Sequence, residues 1–387
     1  MFEDKPISKI ISLIQSKKVS VREVAEYYLK RIEKYNSTLN AIILQIDEQK
    51  ILDEANSLDK KDHSKEKPLL GLPMACKDLF DIEGLPSTYG YPDFKNNIAK
   101  KNSLIVDRLK KNGAIIIGKT NTAELGVGGH TTNRLFGPTS NPYNISKSAA
   151  GSSGGAGSAV AAGLLPFADG TDMMGSCRAP AAYANIYGFR PTTGLIPTDR
   201  SGENRVDNFP ILTSPGCFAK TPEDMCILLD CIVGADSLDP FSISLNTSFK
   251  EHLKNKIEFS NIKVCWLSDL NGAYNFEHGI IEMCENKLKD LNNHNLEIEP
   301  LKYKINSNDL WECWTTLRAK SFFEYIININ IDDIDKMTPQ AIWEYNKGEK
   351  VNKDDINKAL KQKLNCVKQI DEIFNKYDFL ILPSAQV

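Results

Sequence analysis

SAAGSSGGAGSAVAAGLLPFADGTDMMGSCRAPAAYANIYGFRPTTGLIP, residues 148–197, decides how this chain is read. It sets a glycine-serine loop, a small-residue helix pattern and a second Gly-Ser turn in one run. Ser152 and Ser176 sit on the two turns. Such loops expose backbone N–H groups and let another molecule approach the main chain closely, which ordinary surface loops rarely require. Ser158–Gly163 reads as a tightly packed helix, LLPFADG (164–170) as a strand and APAAYANIYG (179–188) as a second helix.

On the N-terminal side the first sixty residues read as helical. Ile7, Ile10, Ile11 and Ile14 share one helical face, and Ser20 with Glu23 makes a capping box ahead of VREVAEYYLKRIEKY. The polar run DKKDHSKEK (59–67) marks an exposed loop. LLGLPMACKDLF (69–80) and AIIIGK (114–119) are apolar runs of the kind found in buried strands, with the helix SLIVDRLKKNG (103–113) between them. Beyond Pro191 the pattern loosens. Thr221–Val233 is an amphipathic helix, IKVCWLS (262–268) a strand, GIIEMCENKLKDL (279–291) a helix and HNLEIEPL (294–301) a strand. Residues 308–376 are mostly helical, broken by an acidic, Asn-rich stretch from Ile329 to Lys336, and FLILP (379–383) is a last strand. Strands alternating with helices imply an α/β fold with a largely parallel sheet covered on both faces.

Composition narrows the function. With 41% hydrophobic and 25% charged residues, the 387-residue chain can bury a sizeable core, and a net charge of -3 argues against a dedicated nucleic-acid surface. No run of about eighteen apolar residues is present, so no spanning helix is expected. MFEDKPISKI carries acidic residues and no apolar core, unlike a secretory signal. The nine cysteines are scattered without a CxxC pair, which argues against zinc and fits reduced thiols in a cytoplasmic protein.

A serine hydroxyl needs a base to become a nucleophile. His130, in GVGGHTTN, has no acidic partner motif, and the Gly-x-Ser-x-Gly elbow does not fit Ser152 or Ser176. A lysine is the remaining route. Lys77 ends the apolar run GLPMAC, and burial there would lower its pKa from about 10.4 to about 7–8, at a cost of roughly 4 kcal/mol to the charged form. The alternative is that Lys77 ends its strand pointing to water, paired with Asp78. GSSGGAGS as a phosphate cradle lacks a following GK[ST]. Arg178 is read as a carboxylate binder or a support for its loop, Asp172 as an acceptor within the turn, and Cys177 as a small buried thiol. Trp311, Trp314 and Trp343 either line a substrate mouth or pack in the core, with packing as the default reading.

GLPMACKDLFDIEGLPSTYG (71–90), the GSSGG loop (151–155) and GTDMMGSCRAPAAYANIYGFRPTTG (170–194) resemble, in the expected order, the signature segments of the amidase signature family; FGPTSNPYNISKS (136–148) matches the family's approach to the serine loop. The resemblance runs from the first helices to residue 387. It implies a single large α/β domain with a mixed, mostly parallel central sheet between helical layers, in which 1–65 form a helical N-terminal part, 66–200 the signature core and 201–387 substrate-side helices and outer strands. It implies amide hydrolysis by a Ser–Ser–Lys triad without metal or cofactor: Lys77 the base, Ser152 the bridging serine after a cis Gly151–Ser152 peptide, and Ser176 the nucleophile. Backbone N–H groups of Met173, Met174, Gly175 and Ser176 would hold the oxyanion. Met174 stands where relatives carry glycine and is expected to narrow the pocket, and Ala149 and Ala150 stand where they often have Pro and Gly.

The expected partner is a small carboxylic amide, with no nucleic acid and no membrane; a homodimer stays open. The resemblance also implies a further strand and closing helices beyond Val387, so the chain is expected to be a C-terminally shortened form of the domain. Two other readings remain. One is the A subunit of a tRNA-dependent amidotransferase, whose relatives usually differ around NFPILTSPGCFAKTPEDM (208–225). The other is an inactive shortened paralogue that acts only by binding.

Overall fold

Ile7, Ile10, Ile11 and Ile14 all bury on one face of α1 (Ile7–Gln15), and the Ser20–Glu23 capping box opens α2 (Val21–Leu39), with Ser20 N–H donating to Glu23 Oε2 at 2.7 Å and Glu23 N–H to Ser20 Oγ at 3.0 Å. The all-helical reading of this region needs one correction. Asn40 ends α2 in the left-handed conformation, with φ 50°, and the Asn36 side chain accepts the N–H groups of Ala41 and Ile42. These bonds launch a strand, β1 (Ile42–Gln45), before α3 (Glu48–Asp59). A local cap thus outweighs the helical trend on either side.

The computed structural model describes residues 2–61, 67–200, 212–292, 296–331 and 333–387. Residues 62–66 of the expected loop, and 208–211 of the segment expected to differ among amidotransferase A subunits, lie outside them. The described chain forms two compact bodies, Met1–Lys254 with Asp333–Ala341, and Asn255–Asp332 with Ile342–Val387.

In the first body, β2 (Pro73–Lys77) runs parallel to β3 (Ile115–Thr120) across α4 (Leu104–Lys111), and β1 adds antiparallel to β3. Both β2 and β3 are buried at every position, and their sequences are mainly apolar, with Lys77 ending β2 and Lys119 and Thr120 ending β3. Then come α5 (Gly154–Ala161), β4 (Phe167–Asp172), α6 (Arg178–Tyr183), β5 (Tyr187–Phe189), β6 (Ser214–Ala219), α7 (Pro222–Ile232) and α8 (Phe249–His252). The order β4-β6-β5 is antiparallel throughout. The sequence reading missed β5 and β6. One was absorbed into the preceding helix, and SPGCFA (214–219) lies where the pattern loosens, its Pro and Gly being poor strand formers.

The small residues of α5 answer to close packing. A Cβ on Gly155 would stand 2.6 Å from Asn121 O and 2.7 Å from Ala41 O, so the helix rests directly on the backbone that follows β3 and precedes β1. Gly155→Ala should destabilise the protein by about 1–3 kcal/mol through overpacking; a denaturation midpoint equal to the parent's would refute the close approach.

Beneath this layer lies a fully buried ion pair. Lys119 Nζ on β3 donates to Asp78 Oδ1 at 3.0 Å and to Ser87 Oγ at 3.0 Å, and Asp78 also accepts the Thr88 N–H at 3.2 Å and its hydroxyl. Removing one partner of such a pair strands a charge, so Lys119→Met should cost about 3–5 kcal/mol of stability, to be read from the urea midpoint.

In the second body β7 (Lys263–Trp266) is central, parallel to β8 (Glu297–Pro300) and β9 (Phe379–Ile381). The expected strand at 294–301 thus begins at Glu297; residues 293–295 are outside the described set. The same body holds α9 (Ile280–Asn292), α10 (Ser307–Asn328), α12 (Lys353–Phe374) and, from Ile342 on, α11 (Pro339–Glu349). Gln362 on α12 ties to Asp309 and Glu312 of α10. Trp311 and Trp343 are exposed, which overturns the default reading of these two as core residues. Among the described residues, no helix is long and apolar enough to cross a membrane.

Candidate active site

The end of β2 delivers Lys77 into the interior, beside Thr120 of β3 in register. Its side chain is completely buried. An ammonium has three donors and no acceptor, and all three are met by hydroxyls: Nζ lies 2.8 Å from Ser152 Oγ, 2.7 Å from Ser153 Oγ and 2.8 Å from Thr171 Oγ1. The reading of Lys77 as a solvent-facing partner of Asp78 is therefore wrong: Asp78 is taken by Lys119. Burial pulls the Lys77 pKa down to about 8, against the raising influence of Cys177, Asp169 and Asp172. Hydroxyl oxygens solvate the cation less well than water and bring no opposing charge, so burial prevails.

Three segments supply these hydroxyls. Ser152 and Ser153 come from the loop ahead of α5. The Gly151–Ser152 peptide is cis, and the Ser152 carbonyl accepts from Ala123 N at 3.1 Å and Thr131 Oγ1 at 3.3 Å. Thr131 Oγ1 also accepts the Gly154 N–H at 2.7 Å. The Ser153 hydroxyl accepts from Lys77 and donates to Thr171 O at 3.3 Å. Thr171 comes from β4, whose residue Asp169, on the same face two positions back, accepts the Lys77 backbone N–H at 2.7 Å. Burial holds the Asp169 carboxyl up at about 7, against the lowering effect of that N–H, Cys76 and the two lysine charges.

Ser176 sits half-buried on the turn after β4, and its carbonyl accepts the Ser153 N–H at 3.3 Å, which ties the two serine segments together. No hydrogen bond joins the Ser152 and Ser176 hydroxyls among the described residues. Asp172 organises this turn. Its Oδ1 accepts the Gly175 N–H at 2.8 Å and Oδ2 the Cys177 N–H at 3.1 Å, while Arg178 grips both oxygens at 2.8 and 3.0 Å. Burial would raise the Asp172 carboxyl, but the Arg178 hydrogen bonds and charge hold it below its usual value. Arg178 is thus committed to its own loop.

The positive φ of the turn falls on Gly175, at 112°, and not on Met174. Methionine is therefore tolerated at 174, where its side chain is exposed. Asp172 thus engages the N–H of Gly175, one of the expected oxyanion donors. Cys177 is fully buried and burial pushes its thiol well up, as suits a packing residue. His130 bonds Ser148 Oγ at 2.7 Å and stands apart from the lysine cluster. Among the described residues, no cluster of His, Cys, Asp and Glu could hold a metal ion.

Sequence reasoning missed Ser153, Thr171 and Asp169. The signal was present: a buried lysine must find three acceptors, and the alternate residues of ADGTD share one strand face.

The sequence profile of the Amidase family matches residues 23–387. The chain is 38% identical over 281 residues to an acylamidase of Rhodococcus erythropolis, a match covering 72% of this chain and 57% of that protein. It is 35% identical over 301 residues to the A subunit of the glutamyl-tRNA(Gln) amidotransferase of Legionella pneumophila, covering 76% of this chain and 61% of the relative. The chain thus spans less than two thirds of the length of these two relatives. A crystal structure of a bacterial aryl acylamidase of the amidase signature enzymes superposes with TM-score 0.90 at 24% identity, covering 99% of this chain and 80% of that one. A lysine buried against the Ser152–Ser153 loop and Thr171 of β4, the α/β fold and the match across nearly the whole chain lead to one conclusion: the chain belongs to the Amidase family, the amidase signature enzymes.

Proposed function

We propose that this chain is an amidase that hydrolyses the carbon–nitrogen bond of a small carboxylic amide through an acyl-enzyme on Ser176. The observation that carries the reading is the dry Lys77 amine bonded only to hydroxyls, Ser152 among them. A lysine near pKa 8 supplies a substantial neutral fraction at working pH, and a neutral amine accepts a proton. Lys77 takes the Ser152 proton as Ser152 takes that of Ser176. The Ser176 oxygen attacks the amide carbonyl, and backbone N–H groups at 173, 174 and 176 stabilise the oxyanion. The same relay, reversed, protonates the leaving nitrogen as the C–N bond breaks. Water then attacks the ester, gives its proton to the relay and releases the acid. No step needs a metal or cofactor.

The pH profile tests this. Base catalysis by a neutral lysine requires kcat/KM to rise about tenfold per pH unit below pH 8 and level off above it. A rate that falls across the same interval would sink the lysine base. The similarity to amidotransferase A subunits favours a second reading, in which the ammonia released is passed to a partner. Hydrolysis of simple amides by the isolated chain supports the first reading; activity that appears only after a partner protein is added supports the second.

A further inference from the structure

Three buried charges around the site have dedicated partners. Lys119 has Asp78, and Asp172 has Arg178 at 2.8 Å and Arg190 at 3.6 Å. Two groups do not. Lys77 Nζ meets hydroxyls and no carboxylate. Asp169, fully buried, accepts the Lys77 N–H through Oδ1, while among the described residues no hydrogen bond reaches its Oδ2. Strands β2 and β4 share no backbone ladder, yet they touch through Lys77, which β4 holds at both ends: Asp169 takes the backbone N–H and Thr171 the amine.

We propose that Asp169 is a positioning residue for the lysine base: its carboxylate clips the Lys77 backbone to β4 and, as the buried anion otherwise lacking a counter-charge, sets the proton affinity of the amine. The proposal rests on the reading of Lys77 as the base. The titratable groups around Asp169 are Cys76 and Lys77 from β2, Lys119 from β3, Cys217 opposite it on β6, and Cys177 ahead of α6. Burial keeps the three thiols neutral and Lys119 is committed to Asp78. The charge that Asp169 can influence is therefore that of Lys77. An ionised Asp169 favours the ammonium, so removing its charge makes the base neutral at lower pH.

The experiment uses the full chain and a fluorophosphonate, whose second-order labelling rate reads activation of Ser176 without requiring the natural substrate. Asp169→Asn keeps a carbonyl acceptor for the Lys77 N–H and removes the charge. Its rising limb should move down by about one pH unit relative to the parent. A folded Asp169→Asn with an unmoved limb overturns the proposal even if its plateau rate is lower, since a purely structural clip would change the plateau alone. Should Asp169→Asn not fold, Asp169→Ser, a smaller neutral acceptor, takes its place; failure of both to fold also overturns the proposal, because it assigns Asp169 to the base and not to the survival of the fold. A parent profile with no rising limb near pH 8 refutes the lysine base itself, an outcome distinct from an unmoved limb in the variant.

Discussion

Lys77→Met should reduce kcat/KM at pH 8 by about 10³–10⁴-fold while leaving the protein folded. The rate loss follows from the role: a positioned general base contributes roughly 10²–10⁴-fold, and here it acts at the far end of a relay, so its removal silences Ser152 and Ser176 together. The retained fold follows from the electrostatics. Methionine fills a similar volume and removes an amine whose charged form burial disfavours. The hydroxyl of Ser153 keeps its bond to Thr171 O. Ser152 Oγ and Thr171 Oγ1 lose one partner each, an expense of about 1–3 kcal/mol per buried group left unsatisfied that the removal of the amine partly offsets. Thermal unfolding and turnover should thus separate: a small shift in midpoint beside a large loss of rate. A variant retaining even a tenth of parent turnover would show that some other group takes the Ser152 proton.

That separation distinguishes the two buried lysines, which look alike in sequence. Lys77 ends β2 and Lys119 is the last residue but one of β3, and both are completely buried. Lys119 meets a carboxylate at 3.0 Å, so it is held as a cation and supports the fold. Lys77 meets hydroxyls, so it is poised to lose a proton. The residue type and its apolar approach were legible in GLPMACK and AIIIGK; the difference between them was not, because it depends on which segments return from far along the chain. Asp78 follows Lys77 directly, but consecutive strand residues point to opposite faces, and that alternation sends Asp78 to Lys119 instead. The role of Asp172 as an acceptor within the Ser176 turn was legible because it is local: the carboxylate lies three to six residues before the N–H groups it accepts. Strands β5 and β6 were illegible because their pairing, not their composition, makes them strands. Trp311 and Trp343 misled for the opposite reason, since a large apolar side chain is expected inside, yet here both are exposed.

Ser176→Ala should abolish covalent labelling and lower kcat by about 10⁵–10⁶-fold, the scale on which nucleophile removal silences a catalytic unit that acts as one. Stability should hardly change. The Ser176 hydroxyl makes no hydrogen bond among the described residues, and the contact that fixes the segment is its carbonyl, which accepts the Ser153 N–H at 3.3 Å and survives the substitution. The neighbouring thiol cannot substitute for the lost hydroxyl: Cys177 is fully buried and its N–H is bound to Asp172, so neither access nor ionisation favours it. Ser152 cannot substitute either, since it is buried beside the base while Ser176 is half-exposed on the outer turn. The arrangement runs from a nucleophile that solvent and substrate can reach, inward to a bridging hydroxyl, and then to an amine kept dry. Intact-protein mass spectrometry after fluorophosphonate treatment decides the matter. An adduct on the parent that disappears in Ser176→Ala fits this order, whereas an adduct that persists in Ser176→Ala, mapped to Ser152 or Ser153, would move the nucleophile one layer deeper and reverse the roles of the two serine turns.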